Sequence, residues 1–272
     1  MQYLRARATG LFLLVFELPT VAKYPVQSEK QMRQDFNWSQ LDRNTLYGML
    51  YQAGGDIVGR KMPVKTLHKQ LSLHIKSCLP VSVKKWQYDY KQERGFPYMG
   101  GAYDSVLDRK GKRKFIEVVL SYHPLDSETR ITRYRWNRLC SLFADTVLHE
   151  VIHMRQYRSR DFKDIPGYES TAHYHRQRQD QEYYGHRDEM GAFSFNIACE
   201  MIDRFGYDPV SIRRYMDNLS SRTKRGTFTK FLATFDWDHD HIKVHQMKQK
   251  VMKQLEYAAI GRPFKTTTHL TY

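Results

Sequence analysis

The sequence predicts an α+β fold: a small mixed sheet packed on one long helix, with extra helices at both ends. Three observations predict it. Between residues 132 and 157, Leu139, Leu142 or Phe143, Val147, Val151 and Met154 recur at steps of three and four, the period of a helix with one buried face. Just upstream, "KFIEVVLSYH" (114–123) is dense in β-branched and aromatic residues and is closed by Pro124, as a strand would be. Downstream, the helical period resumes over 188–205, with Met190, Phe193, Ile197, Met201 and Phe205 on one side. Asp188 and Glu189 at its start suit the positive end of a helix dipole.

The remaining elements follow in chain order. "LFLLVF" (11–16) is cut off by Glu17 and Pro19. With Arg5 and Arg7 ahead of it, it resembles the opening of a secretion signal but is short for one, and it reads as a buried strand. Residues 38–52 place Leu41, Leu46, Met49 and Leu50 near helical spacing, ended by Gly54 and Gly55; residues 64–78 form a second helix, stopped before Pro80. Residues 81–90 read as a strand, and "FPYMGGAYD" (96–104) is rich in turn formers. Residues 102–108 and 114–123, joined by a basic turn around Gly111, read as a β-hairpin. The polar stretch 158–187 reads as a loop. A helix near 208–219, a loop and a basic helix near 240–258 complete the chain, which divides as one domain into an N-terminal part (1–100), a central core (101–205) and a helical C-terminal part (206–272).

Hydrophobic residues at 41% and charged residues at 27% describe a chain that can bury a core. The formal charge of +15 favours anionic partners and predicts nonspecific nucleic-acid contact through a basic surface. The 44 basic residues are nevertheless spread along the whole chain. The densest group, Arg109, Lys110, Lys112, Arg113 and Lys114, reads as a solvated turn. No apolar run approaches the ~18 residues of a membrane span. Cys78, Cys140 and Cys199 are too few and too scattered for a disulfide framework, which suits a reducing location, intracellular or within a virion.

The chemistry is concentrated in "HEVIH". His149 and His153 are four apart, so a helix points both imidazoles at one ion, with Glu150 rotated beside them. Two neutral imidazoles suit zinc, and the carboxylate stands where it can take a proton from water activated by that ion. Chance would place HExxH in a shuffled chain of this composition only roughly 2% of the time. Asp145, one turn earlier, is either an outer partner of His149 or a surface charge. "DWDHDH" (236–241) resembles the opening of a calcium loop but has His241 where glycine is required, and it reads as a helix cap.

A catalytic zinc normally takes three protein ligands. The extension HExxHxxGxxH is absent, because Gln156 and Ser159 occupy its glycine and histidine positions. The third ligand is then Glu189, or His173 or His175 in the polar stretch. On these motifs the sequence resembles the zincin metallopeptidases, and among them the gluzincins, whose third ligand is a glutamate on a later helix reading Glu-x-x-Ala. "DEMGAFSFNIA" fits that pattern with Glu189 and Ala192.

The resemblance covers about residues 114–205. It implies a zincin-like fold, zinc held by His149, His153 and Glu189, Glu150 as general base, and hydrolysis of a protein or peptide substrate along strand 114–121 as a sheet edge. It also implies a transition-state stabiliser among His173, His175, Tyr183, Tyr184 and His186. SprT-like metalloproteases are the competing resemblance and would replace Glu189 by His173 or His175. A non-catalytic structural or nucleic-acid-associated protein of the same fold, such as a virion component, is the alternative from another functional class.

Overall fold

The computed structural model describes residues 36–87, 90, 93–163, 176–223 and 226–259. The strand expected at 11–16, together with His173 and His175, lies outside them. A 3-10 turn at Trp38–Gln40 leads into α1 (Arg43–Tyr51), which Asp42 caps by accepting the Thr45 N–H. Then come β1 (Lys61–Pro63), a short strand that the sequence reading did not contain, and α2 (Val64–Cys78) and β2 (Ser82–Gln87), close to the bounds expected for them. Next are β3 (Tyr98–Tyr103), α3 (Ser105–Arg109), β4 (Ile116–Tyr122) and β5 (Glu128–Arg130). The helical half holds α4 (Arg133–Ser159), α5 (Arg176–Gly185), α6 (Arg187–Phe205), α7 (Pro209–Asp217), α8 (Thr227–Thr234) and α9 (Ile242–Ala259).

The fold is mixed α+β with two small sheets. β1 pairs antiparallel with β5, and β2, β4 and β3 form a mixed sheet in that order. β2 runs parallel to β4, with Val83 opposite Val118; β3 runs antiparallel, with Met99 opposite Leu120 and Tyr103 opposite Ile116. Two expectations need correction here. The expected hairpin pairing exists, but its first strand is 98–103 rather than 102–108. Asp104 leaves the strand and accepts the Leu107 N–H, so the following residues wind into α3. Strand 114–121 is not a sheet edge either: β4 is the central strand, and β3 is the edge beside α4.

Two further segments expected to be loops contain helices. Residues 176–185 form α5, and α8 lies between α7 and α9, burying Phe228, Phe231 and Leu232 at helical spacing. α4 begins where Thr132 accepts the Arg135 N–H. It buries Trp136, Leu139, Phe143, Val147 and Val151 against the sheet and its neighbours, each worth roughly 1.5–3 kcal/mol as a fully buried apolar side chain. It ends with Asp161 and Phe162 both at positive φ, and the Phe162 N–H reaches back to the Tyr157 carbonyl.

The buried residues fall into two clusters that share α6. One joins α1, α2, both sheets and α4 and receives Ala192, Phe195 and Cys199 from α6. The other joins α7, α8 and α9 around Met190, Ile197, Ala198 and Met201. Cys140 and Cys199 are buried and Cys78 half-buried, all as free thiols. Among the described residues, no helix is long and apolar enough to cross a membrane.

Candidate metal centre

α4 and α6 together build the site. His149 and His153 lie one turn apart on α4, and their Nε2 atoms approach to 3.1 Å. α6 crosses beside them with Ala192 fully buried at the crossing, which brings Glu189 in its first turn onto the same point. Glu189 Oε2 stands 3.6 Å from His149 Nε2, and Oε1 stands 3.5 Å from His153 Nε2. His149, His153 and Glu189 are the group of described residues whose ligand atoms converge in this way, all within 4.8 Å of one another.

These separations fit a divalent metal. Tetrahedral zinc with bonds of about 2.1 Å sets its ligand atoms about 3.4 Å apart, and the approaches here, 3.1 Å between the imidazoles and 3.5 and 3.6 Å from them to the two different oxygens of Glu189, are of that size. Glu189 Oε2 is buried and has no hydrogen-bond partner among the described residues, a costly arrangement for a carboxylate oxygen unless something else engages it. The donor set of two imidazoles and one carboxylate is also one that zinc favours.

Outer contacts aim both histidines. His153 Nδ1 lies 3.0 Å from Gln156 Oε1, so it donates there and leaves Nε2 as the ligand atom. The Gln156 amide nitrogen in turn donates to the Asp188 carbonyl of α6 at 3.1 Å, tying the two ligand helices together. Arg160 holds the Asp188 carboxylate at 2.6 Å. Gly191 leaves the space that Gln156 needs, since a β-carbon there would come within 2.7 Å of the amide nitrogen. His149 Nδ1 lies 3.2 Å from the Asn196 amide, whose oxygen is otherwise unpartnered. With a metal on Nε2, Nδ1 carries the proton and Asn196 presents that oxygen to it.

Glu150 is buried beside the cluster and not within it. β3 passes directly over it: a β-carbon on Gly101 would lie 2.7 Å from Glu150 Oε1 and 2.8 Å from its Cγ. Burial raises the Glu150 pKa, and the nearby His149 and His153 draw it only partly back. Glu189 behaves oppositely. Burial pushes its pKa up, but contacts with His149 and His153 prevail and hold it at about 2. Burial favours neutral His153, yet the Glu189 carboxylate outweighs it and raises that pKa.

The other expected residues are distributed unevenly. His149 stacks edge-on with Phe193 at 5.0 Å, and Phe193 meets Tyr184 at 4.9 Å, so Tyr184 lies at the rim of the site. Burial, then the charges of Asp180, Tyr98 and Glu189, raise the Tyr184 pKa and keep its phenol protonated. Tyr183 packs edge-on against Tyr184. His186 caps α6, its ring facing the Asp188 N–H at 3.4 Å. Asp145 is not an outer partner of His149. It pairs with Arg43 at 2.7 Å, and Arg43 also holds Asp203 at 2.6 Å, linking α1, α4 and α6. "DWDHDH" forms a cap, with Asp238 accepting the Asp240 N–H and His241 the Lys243 N–H.

Gln156, Asn196 and Gly101 escaped the sequence reading. Gln156 carried one signal, a position three residues after His153 on the same helix face, while the other two depend on elements distant in sequence. No protein-family model matches the chain, and no curated protein or solved structure shows significant similarity to it.

Proposed function

We propose that the protein is a zinc-dependent peptidase of zincin type, with His149, His153 and Glu189 as metal ligands and Glu150 as general base. The observation that carries this reading is the convergence of three ligand atoms beside a fourth, non-ligating carboxylate. A purely structural site needs no such base. When bound, zinc supplies Lewis acidity, acidifying water and polarising a carbonyl.

The chain's own residues supply the rest. Glu150, its pKa raised by burial, is suited to accept a proton from the attacking water and return it to the leaving amine. Gly101 lets β3 pass close over its carboxylate and confine it. β3, in place of the central β4, offers the free edge: the outward N–H and C=O groups of Met99 and Gly101 can pair with an extended peptide. The Tyr184 phenol at the rim can donate to a developing oxyanion.

The test combines metal content by mass spectrometry with hydrolysis of unstructured protein substrates, for wild type, Glu150→Ala and Glu189→Ala. One zinc per chain is expected in wild type and Glu150→Ala, with activity only in wild type and zinc lost in Glu189→Ala. Retention of zinc by Glu189→Ala together with its loss from His175→Ala would transfer the third ligand to the polar segment. A wild type that binds no zinc would end the proposal.

A further inference from the structure

α9 carries a feature unrelated to the metal site. Its buried face, Val244, Met247, Val251 and Leu255, packs into the C-terminal core. Along one border of that face, Lys243, Gln246, Lys250, Lys253 and Tyr257 follow at steps of three and four, each half-buried. Residues so spaced form a straight stripe, here about 21 Å long at 1.5 Å per residue. Every member is a hydrogen-bond donor and none is a carboxylate.

The stripe faces the corner between α5 and α6. A β-carbon on Gly185 would lie 3.6 Å from Lys243 Cε, and Arg187 follows two residues later. No ion pair forms on Lys243, Lys250, Lys253 or Arg187 among the described residues. Burial and the neighbouring charges of Arg187, Lys253 and Lys243 lower the Lys250 pKa. Several nearby carboxylates are engaged elsewhere: Asp188 with Arg160, Glu200 with Arg204 and the Thr227 N–H, Asp217 with Lys248. Asp180 and Glu182 on α5 and Glu256 on α9 are exposed to solvent. Among the described residues, four cations therefore stand together with no ion pair of their own, on a molecule of charge +15.

We propose that Lys243, Lys250 and Lys253 of α9, with Arg187 of α6, bind the phosphate backbone of nucleic acid without reading its sequence. A single phosphate would need donors converging on one point, whereas a linear stripe matches a regularly charged polymer. Amide and phenol donors between the lysines suit phosphate oxygens. The proposal is independent of the metal, and binding should persist after chelation.

The experiment uses the full chain, fluorescence anisotropy and short labelled single strands and duplexes of mixed sequence, titrated between about 50 and 200 mM salt. The variant K243Q/K250Q/K253Q is compared with K110Q/K112Q/R113Q, which removes the same charge from the exposed turn after α3. The α9 triple should weaken binding at least about tenfold at low salt and reduce the slope of log K against log salt by about three. The turn triple should change affinity less than about twofold, and thermal melts should show both variants folded.

Equal weakening by both triples would mean that net charge alone is responsible and would overturn the site. Absence of salt-dependent binding in wild type would also overturn it. Competition by polyglutamate as effective as that by nucleic acid, at equal charge, would do the same by assigning the stripe to acidic proteins.

Discussion

Glu150 is held by groups that a substitution can disturb separately from the metal. On the proposed function, Glu150→Gln should keep bound zinc, because that reading gives the side chain no ligand role, and lower peptide hydrolysis by roughly 10²–10⁴-fold, the contribution of a positioned base. Gly101→Ala tests the same carboxylate from the other side. Its β-carbon would press on Glu150 Oε1 at 2.7 Å and on Thr146 Cγ2 at 2.9 Å, so the base must shift. A displacement of that order should cost about 10²-fold in kcat with metal content unchanged. Loss of metal in Gly101→Ala would show that β3 supports the ligands as well as the base.

pH gives a further handle at this scale. In the metal-free protein Glu189 raises the His153 pKa above its ordinary 6.5, so the proton competes with the metal for Nε2. Zinc affinity should therefore climb as pH rises through that raised pKa and level off above it. In Gln156→Ala or Asn196→Ala it should fall about 10–100-fold at every pH. Competition titrations with a chromophoric chelator measure both effects, and an affinity independent of pH would contradict the His153–Glu189 pairing.

At the scale of elements, Arg43 is the main electrostatic tie. It joins Asp145 on α4 and Asp203 on α6, with side chains about one-fifth, one-fifth and one-half exposed respectively. Burial raises the Asp145 pKa, while Arg43 opposes that shift. Arg43→Leu would leave Asp145 uncompensated. Partial exposure reduces the cost of a broken buried pair to about 2 kcal/mol. The double variant Arg43→Leu, Asp145→Leu should recover much of that loss in denaturant melts, whereas additive losses would show that the pair is worth little.

The same elements show what the sequence made legible. α2, α4 and α6 were readable because each buries one face, and the 3.6-residue period survives in the order of apolar residues. The convergence of His149, His153 and Glu189 was readable for a related reason, since helix geometry turns spacing into position. Sheet order was not. β4 becomes central because β2 returns parallel to it and β3 antiparallel, and no local pattern in 114–123 encodes which neighbours arrive. β3 was missed because Gly100 and Gly101 are turn formers by composition, although Gly101 is needed for close approach to Glu150. α5 has few aliphatic residues to reveal a period. α8 does reveal one, Phe228, Phe231, Leu232 and Phe235, in a segment short enough to pass for a loop.

At the scale of the whole molecule, α6 is the shared wall of two cores. It gives Ala192, Phe195 and Cys199 to the one holding α4 and the sheets, and Met190, Ile197, Ala198 and Met201 to the one holding α7, α8 and α9. On the proposed function, a bound metal would pin the first turn of this helix to α4 through Glu189, with the Gln156–Asp188 bond beside it. A ligand that binds only the folded state stabilises it by RT ln(1 + [L]/Kd), or about 4 kcal/mol at a thousandfold excess over Kd. In a chain of this size each kcal/mol is worth about 2 °C, so chelation should lower Tm by roughly 5–10 °C. Because α6 belongs to both cores, both should feel the loss: the fluorescence of Trp136 in the first core and of Trp237 beside the second, each kept as the sole tryptophan in its own variant, should shift together. The charge change K243Q/K250Q/K253Q should leave that metal-dependent shift unaltered. If chelation moved only the Trp136 transition, the two cores would unfold independently and α6 would not couple them.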